Sequence, residues 1–154
     1  MNIIWQYLDK RSAAIAALKD YSSMIYIIEN TDSEIAKLHD DLTTLSSPSF
    51  SDMPANQHNP QSGEIRMAAA IDEIDVLRER YRQAKEYMDW FQPAWDKLSD
   101  DERYVLEQFY WCEDESQTNA VYEICEHFGI ERSSAYNRKN RAVQHLTLLL
   151  YGKI

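Results

Sequence analysis

Outside residues 48–63, this chain of 154 residues has almost nowhere to turn sharply. Pro48, Pro54, Pro60 and Gly63 all fall in that stretch, leaving only Pro93, Gly129 and Gly152 elsewhere. Glycine and proline make most of the tight turns that a many-stranded fold requires. Their scarcity favours a few long helices, and the expected class is all-α. Hydrophobic residues make up 44% of the chain, enough for a packed core and too many for a chain disordered throughout.

Periodicity organises the first ninety residues. Leu8, Ile15, Leu18 and Ile25 keep a three-four spacing, and Ile28, Ile35, Leu38, Leu42 and Leu45 resume it one step out of phase. Between the two runs lies polar Glu29 to Glu34, in which Thr31 and Glu34 have capping-box spacing. Residues 2–45 are therefore expected to form two helices, or one helix broken near residue 30. Residues 46–63 read as a flexible loop. From residue 64 to 92, Met67, Ala70, Ile74, Leu77, Tyr81, Ala84, Met88 and Phe91 form a heptad seam. Its natural partner is the 28–45 helix, folded back as an antiparallel hairpin. Pairing with a second copy through the 64–92 helix, giving a homo-oligomer, has the same periodicity. Pro93 is expected to end or kink the helix before Trp95. Residues 1–94 thus read as a helical, coiled-coil-like region ahead of a separate domain at 95–154.

That second part carries the function. Ser99-Asp100-Asp101-Glu102 has the form of a capping box, and the helix after it is expected to bury Val105, Leu106, Phe109 and Tyr110. A polar turn from Glu113 to Thr118 leads to a short helix at about 119–128. Gly129 stops it, and a last helix runs from about 131 to 151. This is a helix-turn-helix layout. Val121, Ile124 and Phe128 supply the apolar side, Cys125 is the small residue at the crossing, and Ile130 plugs the corner. Ala135, Ala142 and Leu146 return the last helix to the core. Arg138 departs from the pattern, standing where an aliphatic residue is usual.

The net charge of -10 argues against nucleic acid until its distribution is considered. Residues 1–115 hold 11 Lys/Arg and 23 Asp/Glu, whereas residues 116–154 hold five and three. From Arg132 to His145 there are four cations and no acid. On a helical wheel Ser133, Asn137 and Asn140 lie opposite Ala135, Ala142 and Leu146, with Tyr136 and Arg141 on the flanks. Arginine can read guanine, asparagine can read adenine, and serine can serve base or phosphate. Arg132, Lys139 and the helix N-terminal amides suit phosphates. The candidate DNA-binding set is Arg132, Ser133, Ser134, Tyr136, Asn137, Lys139, Asn140 and Arg141, and the expected partner is double-stranded DNA. The bland alternative is a solvated polar face, but such faces normally mix both signs of charge. The charge split also predicts that residues 95–154 fold alone and bind DNA more tightly than the intact chain at low salt.

The run from Leu98 to Arg103, through Ile130 to Tyr136, to Ala142 to Leu146 is similar to region 4 of sigma-70-type factors. It more closely resembles the ArpU/RinA-like late transcription regulators of phages and mobile elements. Leu149 to Lys153 fits those regulators, as does Asp52-Met53-Pro54 ahead of Ile71-Asp72-Glu73-Ile74. The resemblance implies a promoter-binding helix-turn-helix with base-reading positions at Arg132, Ser133 and Asn137. Ser133 replaces the acid usual in sigma factors, which implies a different promoter preference. Nothing resembles the strand-opening region of a complete sigma factor, and Tyr81, Tyr87, Trp90, Phe91 and Trp95 read more simply as core.

An enzyme is disfavoured. Cys125-Glu126-His127 is not a zinc spacing, no cofactor motif occurs, and neither a phosphate loop nor a nucleophile elbow is present. An adaptor or anti-activator that docks on RNA polymerase without reading DNA is the stronger alternative, because the acidic residues 1–115 suit a basic protein partner. The opening Met1 to Trp5 lacks a basic leader, and no apolar run approaches the roughly 18 residues of a membrane span. A cytoplasmic protein with reduced Cys112 and Cys125 is expected.

Overall fold

Asp9 opens the first helix by accepting hydrogen bonds from the Ser12 amide at 3.1 Å and the Ser12 hydroxyl at 2.6 Å, the pattern of an N-cap. Five helices follow in the computed structural model, which describes residues 9–46, 60–112 and 117–152. They are α1 (Lys10–Ser46), α2 (Pro60–Asp96), α3 (Asp100–Tyr110), α4 (Gln117–Phe128) and α5 (Arg132–Tyr151). No strand occurs among the described residues, and none of these helices is long and apolar enough to cross a membrane. Residues 2–8 of the expected first helix, 47–59 of the expected loop and 113–116 of the expected turn lie outside the described residues.

α1 has no break near residue 30. Thr31 caps nothing. It is buried, and its hydroxyl donates to the Ile27 carbonyl one turn back, as the Asn30 amide does to Tyr26 at 2.9 Å. Both side chains satisfy themselves on the helix they belong to, while Glu29, Asp32 and Ser33 face solvent. α2 begins at Pro60, so residues 60–63, expected in the loop, are its first turn. Proline is favoured at the first helical position, where its missing N–H removes no intrahelical bond. Nor does Pro93 end α2, which runs three residues further to Asp96. It closes with tightened bonds from the Lys97 amide to Ala94 and the Leu98 amide to Trp95. Along the heptad seam Ile74, Ala84 and Phe91 are buried and Ala70, Leu77, Tyr81 and Met88 half-buried, whereas Met67 is exposed.

The chain divides into two compact units. One comprises Ile25–Glu86, and the other joins Met1–Met24 to Tyr87–Ile154. The expected boundary at residue 94 is therefore redrawn, because about the first four turns of α1 and the end of α2 belong with the last three helices. The physical reason is a shared core. Ala17, Leu18, Phe91 and Ala94 pack in one cluster with Leu106, Val143 and Leu146. An aromatic ladder fills it. Tyr21 stacks on Trp111 with centroids 4.5 Å apart, Trp111 meets Trp95 at 4.5 Å, and Phe91 stacks on Trp95 at 6.0 Å. Two ladder members fasten α1 through its backbone. The Trp111 indole donates to the Leu18 carbonyl at 2.8 Å, and the Tyr87 hydroxyl donates to the Ala17 carbonyl. Burial, with the Asp20 charge nearby, pushes the Tyr87 hydroxyl well above the usual phenol range. Of the aromatics read as core, Phe91 and Trp95 are buried, Tyr81 and Tyr87 half-buried and Trp90 exposed.

α3, α4 and α5 pack on one another around Val105, Val121, Ile124 and Ala135. The expected capping box starts α3. The Ser99 hydroxyl accepts from the Glu102 amide at 3.2 Å, and Glu102 accepts from the Ser99 amide at 2.9 Å. The same carboxylate lies 2.8 Å from Nδ1 of His145 on α5, tying the cap to the last helix. Burial raises the Glu102 pKa, but the Ser99 and His145 bonds outweigh it and hold the carboxyl below its ordinary value. A depressed carboxyl stabilises above its unfolded pKa and loses that contribution as pH falls through the folded value. Glu102→Gln should cost about 1 kcal/mol near neutral pH. Thermal melts of variant and wild type should converge once the pH falls below the depressed folded pKa of Glu102, where both side chains are neutral. A difference persisting there would assign the loss to shape and not to the carboxylate.

Candidate nucleic-acid interface

α5 is set by how α4 stops. Gly129 takes φ 62°, and the Ile130 amide donates back to the Cys125 carbonyl at 3.1 Å, the six-to-one bond of a Schellman motif. Any other residue would be strained at that φ. Glu131 is the extended N-cap of α5 and makes no side-chain cap bond. The first helical acceptor, the Glu131 carbonyl, is taken by the Ala135 amide at 3.0 Å. The amides of Arg132, Ser133 and Ser134 therefore have no intrahelical acceptor and point out of the helix end.

Burial of Ala135, Ala142, Val143, Leu146 and Thr147 fixes the rotation of α5. Val143 and Thr147 add to the inward side read from the sequence, and Ala120 does the same on α4. Cys125, expected as the small residue of the crossing, is half-buried beside Val121 and Ile124, and Cys112 is exposed. Of the eight candidate residues, Arg132, Ser133, Tyr136, Asn137, Asn140 and Arg141 are exposed and Ser134 and Lys139 half-buried. All eight stand on the first three turns of one helix. Among the described residues, none of Arg132, Arg138, Lys139 and Arg141 joins an ion pair.

Two cations are held by rings. The Arg138 guanidinium lies 4.3 Å from the centroid of Phe128, which explains the departure from an aliphatic residue. Its flat, weakly hydrated group covers the end of α4 as an apolar side chain would. The Lys139 ammonium lies 4.9 Å from the Phe109 centroid and 5.5 Å from that of Tyr136. Burial, and then the charge of Arg11, lower its pKa. Asn140 is not free. Its Oδ1 accepts from Nη2 of Arg11 at 2.8 Å, bringing a residue of α1 to the edge of the face. Sequence reasoning missed Arg11, and no periodicity or motif links residues 129 positions apart.

On one flank, Arg138 and Arg141 line an open groove of about 370 Å³ whose other wall carries Asp101 and Glu102 of α3. That acidic wall limits how far a polyanion can spread past Arg141. Among the described residues, no three His, Cys, Asp or Glu side chains gather as a metal site. Comparison with protein-family models, curated proteins and solved structures finds no match for the chain.

Proposed function

We propose that α3, α4 and α5 act as a sigma region 4-like helix-turn-helix and that the chain is a sequence-specific DNA-binding regulator of transcription, of the kind phages and mobile elements carry. α5 is its recognition helix. Ile25–Glu86, taken as an antiparallel helical hairpin, is the acidic accessory part. One observation carries the reading. A contiguous exposed face of α5 combines Arg132, Ser133, Asn137 and Arg141 with no carboxylate beyond Glu131. In a protein of net charge -10, a helix face that carries only cations is where a polyanion can approach, and these side chains match the donor and acceptor pattern of a major groove.

Asn137 stands one turn beyond Ser133, in the part of a recognition helix that meets base edges. Lys139 lies to the side, where a phosphate is the natural acceptor. Asn137→Ala should cost about 1–3 kcal/mol on a selected duplex and flatten the preference at one base pair. Lys139→Ala should weaken selected and scrambled duplexes alike and lower the salt slope by about one. Titrations of both duplexes across a salt series separate these effects. If neither substitution changes either affinity, α5 does not read DNA, and docking on RNA polymerase becomes the better account.

A further inference from the structure

The hydrogen bond from Arg11 to Asn140 joins the first full turn of α1 to the exposed face of α5. Arg11 is exposed, and only one of its five guanidinium donors is used on Asn140 in the described hydrogen bonds. Among the described residues Asp9 is the carboxylate that feels the Arg11 charge, and the two make no ion pair. The adjacent Asp9 has both oxygens engaged by Ser12, and none of the described ion pairs includes Arg11. Lys139 directly precedes Asn140, and its ammonium is held over the Phe109 and Tyr136 rings; burial, and then the Arg11 charge, lower its pKa. The fold therefore brings two cations from distant parts of the chain to the same short stretch of α5. Like charges so placed repel, and an anion between them relieves the repulsion.

We propose that Arg11 and Lys139 form a two-cation clamp for one DNA backbone phosphate at the edge of the recognition face, with Asn140 orienting the Arg11 guanidinium. This rests on the DNA-binding reading above. It extends the interface from α5 to α1, and it gives Asn140 a positioning role in place of the base-reading role its exposure implies. A phosphate is a better fit than a base edge. Asn140 shares the exposed face with Ser133 and Asn137 while Lys139 is half-buried against Phe109. The backbone flanks a helix seated in the major groove, and a guanidinium fork beside an ammonium suits a tetrahedral oxyanion. Lys139 is held in place by the Phe109 ring and Arg11 by Asn140, so little side-chain freedom is lost on binding.

The test uses the full chain, a duplex selected from a random pool by the wild-type protein, and a scrambled duplex of equal length. Arg11→Gln keeps an amide donor for Asn140 and removes the charge. It should weaken both duplexes equally, by about fivefold at roughly 0.15 M salt, and reduce the salt slope by about 0.9. Arg11→Lys should keep the slope. Asn140→Ala should leave the base preference intact while weakening both duplexes. Equal near-ultraviolet circular dichroism of variants and wild type shows the fold unchanged. If Asn137→Ala disturbs the base preference while Arg11→Gln retains wild-type affinity and slope, the clamp is overturned and the DNA-binding reading stands. If Asn140→Ala alters preference at one base pair, its positioning role is overturned. If the wild-type chain selects no duplex, both readings fall together.

Discussion

Phe91→Ala should lower stability by about 3–5 kcal/mol, the usual cost of removing a buried phenyl ring. Phe91 is 0% exposed and among the largest side chains fully enclosed in the protein. Its ring lies 5.3 Å from that of Tyr87, 5.5 Å from Tyr21 and 6.0 Å from Trp95. The ladder cannot close over the void by a simple rotamer change. Tyr87 is tied to the Ala17 carbonyl, Tyr21 to Gln92 at 3.1 Å, and Trp111 to the Leu18 carbonyl. At about 2–4 °C per kcal/mol for a chain of this size, the melting temperature should fall by roughly 10 °C. Tryptophan fluorescence should follow the transition, because Trp95 and Trp111 sit in the same stack. A shift of only a degree or two would mean that the ladder is less tightly packed than its geometry implies.

The second large effect concerns a cut before residue 95. The fragment 95–154 should fail to melt cooperatively and should bind DNA more weakly than the intact chain, the reverse of the expectation from charge alone. Removing residues 1–94 takes away Ala17, Leu18, Phe91 and Ala94, and so uncovers Leu106, Val143 and Leu146. Each large apolar side chain so exposed forfeits roughly 1.5–3 kcal/mol, and small domains rarely have such a sum to spare. Relief from the acidic residues acts only through screened long-range repulsion. A chain in which a flexible linker replaces residues 25–86 should recover the cooperative transition, because it keeps both halves of the core. Circular dichroism melts and amide dispersion of the two fragments decide the matter. Cooperative melting of 95–154 at the intact protein's temperature would show that α1 is dispensable to this unit.

These outcomes mark where sequence is informative. The Ser99 box, the stop at Gly129 and most of the seam from Ala70 to Phe91 were legible because each depends on neighbours within a turn or two. The continuity of α1 was not. Threonine four residues after a carbonyl can bond back to it as readily as it can cap, and only burial decides which occurs at Thr31. Nor could the docking of Ala17 and Leu18 be read, since an apolar stripe specifies that it needs a partner and not which one. Exposure of the α5 face followed from its buried Ala135, Ala142 and Leu146. What the side chains on that face touch did not. Arg138 on Phe128, Lys139 on Phe109 and Arg11 on Asn140 all depend on tertiary neighbours that no helical wheel contains.

The discontinuity of the core also sets a schedule on the ribosome. α1 emerges first, yet the tryptophan that fastens Leu18 lies 93 residues later, and the asparagine that meets Arg11 lies 129 residues later. At about 5–20 residues per second, synthesis leaves the inward side of α1 waiting on the order of ten seconds. During that interval Ala14, Ala17 and Leu18, all buried in the finished molecule, are open to water and to other nascent chains. The small size of the two alanines lessens that hazard, because they offer little apolar surface to a wrong neighbour.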